Sequence, residues 1–147
     1  METKTVWTEK MKFTSECGVH KVGMDAHAPI GTDTAMTPKE LVVVGIAGCT
    51  AMDVVSWLKK HKEPLEDLEI DTKVNQTEGT NPRIFKDVLL IYKFKGALNK
   101  ERVLEAVHLS QTLYCGVSAM IAQSALITYE VILNGNEIGR GEAKFEI

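Results

Sequence analysis

The chain is expected to fold as an α+β domain, with antiparallel sheets around one long, buried central helix. Three observations predict this. Strand-like segments gather near the two ends and in a central hairpin instead of alternating singly with helices, which argues against a doubly wound sheet. A helix start at Thr37-Pro38-Lys39-Glu40 opens onto a long apolar stretch. Asn134-Gly135 is a strong two-residue hairpin signal between the last two strands.

Residues 4–14 mix β-branched, aromatic and charged side chains and predict a half-exposed strand. Residues 18–25 predict a second, with Val19, Lys21, Gly23 and Asp25 on one face and His20, Val22 and Met24 on the other. Pro29, Gly31 and small polar residues make 26–36 a loop. Thr37 can then cap a helix, Pro38 suits its first position, and Glu40 completes a capping box. Leu41 to Cys49 is almost wholly apolar, and Ala51, Met52, Val54, Val55 and Leu58 extend the pattern to the basic end Lys59-Lys60. A helix apolar around most of its girth is expected to be buried. Leu68–Asn75 and residues 84–95 form a hairpin across the turn at 77–82. Asn99 caps a second helix whose stripe is Val103, Leu104, Val107, Leu109 and Leu113. Tyr114 to Ser118 interrupts it, and Ala119 to Ala125 continues as a short helical piece. Residues 127–133 and a final strand reaching towards Ile147 close the fold.

A chain of 147 residues suits one domain, residues 1–147, and can bury a core without disulfides. The net charge of −3 offers no basic surplus to neutralise phosphates, so nucleic acid is not an expected partner. The apolar run Leu41–Cys49 is too short to span a bilayer, so no membrane is expected. The first residues lack the charged and apolar regions of a signal peptide, which makes the cytoplasm the expected location. The three cysteines, Cys17, Cys49 and Cys115, form no C-x-x-C and no disulfide framework. The spacing of the four histidines suggests no metal site.

Cys49 lies mid-helix among Ala47, Gly48, Thr50 and Ala51, small neighbours that leave room at the sulfur. A buried cysteine that only fills space has the same pattern. Cys115 stands at the break before Gly116. A helix starting just beyond it would present N–H groups and a dipole that favour a thiolate. The bland alternative is a small residue at a helix joint. Asp53, four residues after Cys49, shares its helix face. A carboxylate there would raise a thiol's pKa, so Asp53 is expected to act as a structural hydrogen-bond acceptor. Glu40, nine residues before Cys49, lies about half a turn away in angle and cannot reach the sulfur along one straight helix. Cys17, in a turn beside His20, is expected to be a bystander.

The run Thr37 to Ser56, with Gly48-Cys49 inside it, resembles the central helix of the OsmC/Ohr family. Leu109 to Ser118, around Cys115, resembles that family's second cysteine signature. Gly18 to Val22 and Asn81-Pro82-Arg83-Ile84-Phe85 are similar too, so the resemblance runs from Thr5 to about Leu133. It implies an OsmC-like fold in an intertwined homodimer, with the long helices at its centre. It also implies reduction of organic hydroperoxides. Cys49 would be the peroxidatic residue and Cys115 the resolving one, with an external dithiol, often lipoyl-linked, as reductant and no bound cofactor. Family peroxidases activate the thiolate with an arginine held by a glutamate just after the proline. Here no arginine precedes Arg83, Lys39 follows Pro38, and the carboxylate stands at Glu40. Glu40, Lys39 and Arg83 are therefore the thiolate-activating candidates. Two other readings stand beside the peroxidase. One is acyl or sulfur transfer through Cys49, for which no histidine is placed as base. The other is a non-catalytic, redox-sensing dimer that binds a small ligand.

Overall fold

The computed structural model describes residues 1–146. The chain groups into two compact units, Met1–Val44 and Gly45–Ile147, and the division falls inside the long helix.

In the first unit, β1 (Lys4–Glu9), β2 (Lys12–Cys17) and β3 (His20–Met24) form an antiparallel meander. The single strand expected over 4–14 is two. The chain reverses at Lys10, whose φ is 46°, and the Trp7 indole N–H donates to the Lys10 carbonyl at 2.8 Å. Every residue of β1 is exposed, Val6 and Trp7 included. Cys17 ends β2, exposed, and pairs with His20.

The loop that follows is organised around Asp25, which is 2% exposed. Its carboxylate accepts from the Ala26 amide and from both the amide and the hydroxyl of Thr32 and Thr34, at 2.7–3.2 Å. Burial opposes the charge, but these donors outweigh it and hold Asp25 well below the usual carboxylate range. Gly31 sits where a Cβ would meet the Ala26 carbonyl oxygen at 2.0 Å, so only glycine fits that turn.

Helix α1 (Pro38–Lys60) begins with the expected capping box. The Glu40 amide donates to Thr37 Oγ1 at 3.3 Å, and the Thr37 amide donates to Glu40 Oε2 at 2.7 Å.

The second unit holds the rest of α1 and a four-stranded sheet ordered β4 (Leu65–Gln76), β5 (Phe85–Gly96), β6 (Leu126–Leu133), β7 (Asn136–Glu142). The expectation of wholly antiparallel sheets needs correcting, because β5 and β6 pair in parallel. A parallel pair needs a long crossover. Here α2 (Lys100–Leu109), a π-helical turn (Ser110–Tyr114) and α3 (Gly116–Ile121) supply it. Asn99 caps α2 through the Arg102 amide at 3.0 Å. Asn134 and Gly135 turn the last hairpin with φ of 49° and 82°. The final strand stops at Glu142, short of the predicted end, and Ile147 lies outside the described residues.

Alternate residues of β5, Val88, Leu90, Tyr92 and Phe94, form the middle of the core with Ile127, Val131, Val103 and Val107. From α1 the buried residues are Ile46, Thr50, Val54 and Leu58, one stripe at intervals of four. Within the single chain the burial expected of this helix is confined to that stripe. A sheet covers one face of a helix, and here Val42, Val44 and Met52 stay 44–75% exposed. The helix has 23 residues and runs from Pro38 to Lys60, the bounds its cap and basic end predicted. By length and composition alone it would pass as a membrane span.

Candidate thiol site

Cys49, Asp53 and Cys115 meet in the second unit, with both sulfurs and a carboxylate oxygen within 4.8 Å of one another. Cys49 and Asp53 are one turn apart on the same face of α1, and both are half-buried. Cys115 comes from the crossover and is fully buried. All three cysteines are free thiols, and Cys17 belongs to the other unit.

The π turn brings Cys115 to this place. The Cys115 amide donates to the Ser110 carbonyl five residues back at 2.9 Å, and Cys115 then leaves the helix with φ −72° and ψ 96°. It becomes the N-cap of α3, its Sγ accepting from the Ser118 amide at 3.3 Å. The wider turn lets the adjacent residues Ser110 and Gln111 both face inward, each 0% exposed.

Those two residues join a buried polar network. Gln111 Nε2 donates to Thr50 Oγ1 and to the Tyr92 hydroxyl, both at 3.0 Å. Thr50 Oγ1 lies 2.6 Å from Tyr92 Oη and 2.7 Å from Ser110 Oγ. Ser110 Oγ donates to Asp53 Oδ2 at 3.0 Å. An ionised carboxylate only accepts, so the Ser110 proton is committed to Asp53. The Thr50 proton must then go to Ser110, and the Tyr92 proton to Thr50. Every donor in the chain points towards Asp53. The Gln111 carbonyl also accepts the Lys144 amide at 3.1 Å.

Burial pushes the Cys115 thiol up to about 11, against the pull of the Ser118 amide, and the neighbouring Cys49 adds to the rise. The N-cap position was expected to favour a thiolate, but at a fully buried sulfur desolvation outweighs one amide. Burial also raises Asp53, partly offset by the Ser110 hydrogen bond. Tyr92 is driven well above the ordinary phenol range. Asp53, Ser56, Trp57, Lys60 and Tyr114 line an open cavity of about 350 Å³.

Of the three activating candidates, Glu40 is committed elsewhere. Besides Thr37 it meets His27, whose Nε2 lies 3.2 Å from Oε1 while Nδ1 lies 2.7 Å from Asp33 Oδ1. Glu40 therefore serves the helix cap, as its position predicted, and holds a histidine as well. Lys39 is exposed on the first turn of α1. Arg83 is exposed at the tip of the β4–β5 hairpin, beside a concavity shared with Thr77, Glu78, Lys86 and Asp87. Asp53 was expected to accept from backbone or a cation; it accepts instead from the Ser110 hydroxyl, and besides Cys49, whose helix face it shares as expected, it also lies against Cys115. The spacing of Cys49 and Asp53 was the available signal for that pair; the approach of Cys115 was signalled only by the family resemblance of its motif, not by spacing.

Residues 31–130 match the family described as OsmC-like protein. Protein YhfA of Escherichia coli strain K12 is 33% identical over 136 residues, spanning 90% of this chain and 98% of that one. A hypothetical protein from Aquifex aeolicus has a similar structure, with TM-score 0.77 at 26% identity, covering 90% of this chain and 96% of that one. An organic hydroperoxide resistance protein OsmC from Legionella pneumophila shares the fold, with TM-score 0.68 at 21% identity over 89% of this chain and 95% of that one.

Proposed function

The chain belongs to the OsmC-like protein family, and on that premise we propose that it is a cytoplasmic thiol peroxidase reducing organic hydroperoxides through Cys49 and Cys115. The observation that carries this reading is the approach of the two sulfurs to within 4.8 Å of each other. Cys49 is the more accessible and attacks the peroxide. Cys115, sealed beneath it, resolves the sulfenic acid to a disulfide. Closing to the ~2.05 Å of an S–S bond requires side-chain rotation and a small shift of the Cys115 turn. An external dithiol, of the lipoyl kind, then restores both thiols by exchange. The hydroperoxide-resistance description of the Legionella pneumophila neighbour supports the same class of substrate.

The working unit in this proposal is a homodimer. The uncovered apolar face of α1 and the fully exposed β1, with Val6 and Trp7, are surfaces that a second copy would bury. Lys39 or Arg83 of one chain would then supply positive charge to the other chain's Cys49.

The test is intact mass and peptide mapping after one equivalent of cumene hydroperoxide. A Cys49–Cys115 disulfide is expected within the mixing time. In Cys115→Ser the reaction should stop at a Cys49 sulfenic acid that dimedone traps. Slow, scattered oxidation at the rate of a model thiol would exclude the peroxidase and leave the ligand-binding reading.

A further inference from the structure

We infer that Asp53 is the proton carrier of this site, serving both cysteines in turn; the inference rests on the peroxidase reading above. Its position supports this directly, because one carboxylate oxygen lies within 4.8 Å of both sulfurs. The titratable groups around it are Cys49 and Lys60 on its own helix, and Cys115 and Tyr114 from the crossover.

Charge economy gives the second argument. Two negative charges within about 5 Å in a half-buried site repel strongly. A Cys49 thiolate and an Asp53 carboxylate are therefore poor neighbours. The site is most stable with one negative charge, and the proton that leaves Cys49 is best kept on Asp53. The hydroxyl chain is built to allow that. Tyr92, Thr50 and Ser110 all direct their protons towards Asp53 and fix one carboxylate oxygen, without competing for a proton on the other. Burial raises Asp53, which makes it a better acceptor than an exposed aspartate.

In the first step, Cys49 Sγ attacks the distal peroxide oxygen. The S–O bond forms and the O–O bond breaks, so sulfur loses two electrons and the peroxide gains them. Asp53 takes the thiol proton and delivers it to the leaving alkoxide, giving alcohol and Cys49 sulfenic acid. In the second step, Cys115 Sγ attacks Cys49 Sγ, the S–O bond breaks, and Asp53 carries the Cys115 proton to the leaving hydroxide as water. A buried thiol with a pKa near 11 needs such a base, since it has few thiolates of its own at neutral pH.

The experiment is a pair of rate measurements on reduced wild type and Asp53→Asn, following Cys49 by mass. Carboxamidomethylation by iodoacetamide needs only the thiolate, whereas peroxide reduction also needs a proton for the leaving group. The variant should alkylate at least as fast at pH 7, because it lacks the neighbouring charge. Its reaction with cumene hydroperoxide should fall about 10²-fold, and Asp53→Glu should recover part of the loss. A merely structural role would slow both reactions together. Wild type provides a check that needs no variant. Its peroxide rate should be level from pH 6 to 8, because the proton never leaves the site. A tenfold fall per pH unit, or a variant as fast as wild type with peroxide, would overturn the inference. Failure of the peroxidase reading looks different, since wild type itself would then be no faster than a model thiol, and the role of Asp53 would fall with it.

Discussion

Replacing Thr50 by valine keeps the shape of the core but removes the junction of the buried hydroxyl chain. Thr50 is 0% exposed, as are Tyr92, Ser110 and Gln111. In Thr50→Val the Tyr92 proton and one Gln111 N–H lose their acceptor and Ser110 loses its incoming donor. Two contacts survive: Gln111 still donates to Tyr92, and Ser110 still donates to Asp53. Each stranded buried group costs about 1–3 kcal/mol, so the variant should lose about 2–4 kcal/mol. With a urea slope of about 2 kcal/mol/M, the midpoint should fall by about 1–2 M. Urea unfolding by circular dichroism at one fixed protein concentration measures this. The sharper result comes from adding Tyr92→Phe, which removes the stranded hydroxyl. The double variant should be less destabilised than the sum of the two single ones, by about 1 kcal/mol or more. A loss below about 0.5 kcal/mol for Thr50→Val, or strict additivity, would refute the chain of donors described above.

Two other predictions follow from the first unit and the helix surface. His27 is raised above its ordinary value, first by its hydrogen bond to Asp33 and then by the charge of Glu40. Its contacts therefore stabilise the loop fully below about pH 6.5. That contribution is lost as pH rises through the higher folded value. Nuclear magnetic resonance titration of the His27 ring should give a value above 6.5 that drops most in Asp33→Asn, and a ring titrating at or below 6.5 would contradict the arrangement. On α1, Met52 is 75% exposed. Sedimentation should show a dimer that Met52→Asp weakens, and a monomer at high micromolar concentration would remove the proposed assembly.

The features legible in the sequence are those that a few neighbouring residues decide. Thr37 and Glu40 cap each other, Asn99 caps α2, and Asn134-Gly135 turns the last hairpin, all as the local chemistry dictates. The reversal at Lys10 was missed because a non-glycine residue takes the left-handed conformation there, with no Gly or Pro to mark it. Parallel pairing of β5 with β6 depends on how the whole crossover folds back, which no short pattern encodes. The thiol site divides in the same way. Cys49 and Asp53 are tied by helical spacing, but Thr50 and Ser110 are far apart in sequence and meet only in the fold. The π turn that turns Ser110 and Gln111 inward reads as an ordinary helix end followed by Tyr-Cys-Gly. Asp53 was set aside because a pairwise argument, carboxylate against thiolate, ignores a proton that the two can share.

Gln111 has a second attachment with a different kind of consequence. Its side chain orders the network beneath the thiols, while its backbone carbonyl is held by the Lys144 amide just beyond β7. One fully buried residue thus ties the thiol site to the segment that follows β7. A substitution that displaces this segment, such as Lys144→Pro, strands a buried carbonyl within one residue of Ser110. Loss of the Lys144 contact would therefore be expected to surface as altered thiol reactivity before it surfaced as unfolding.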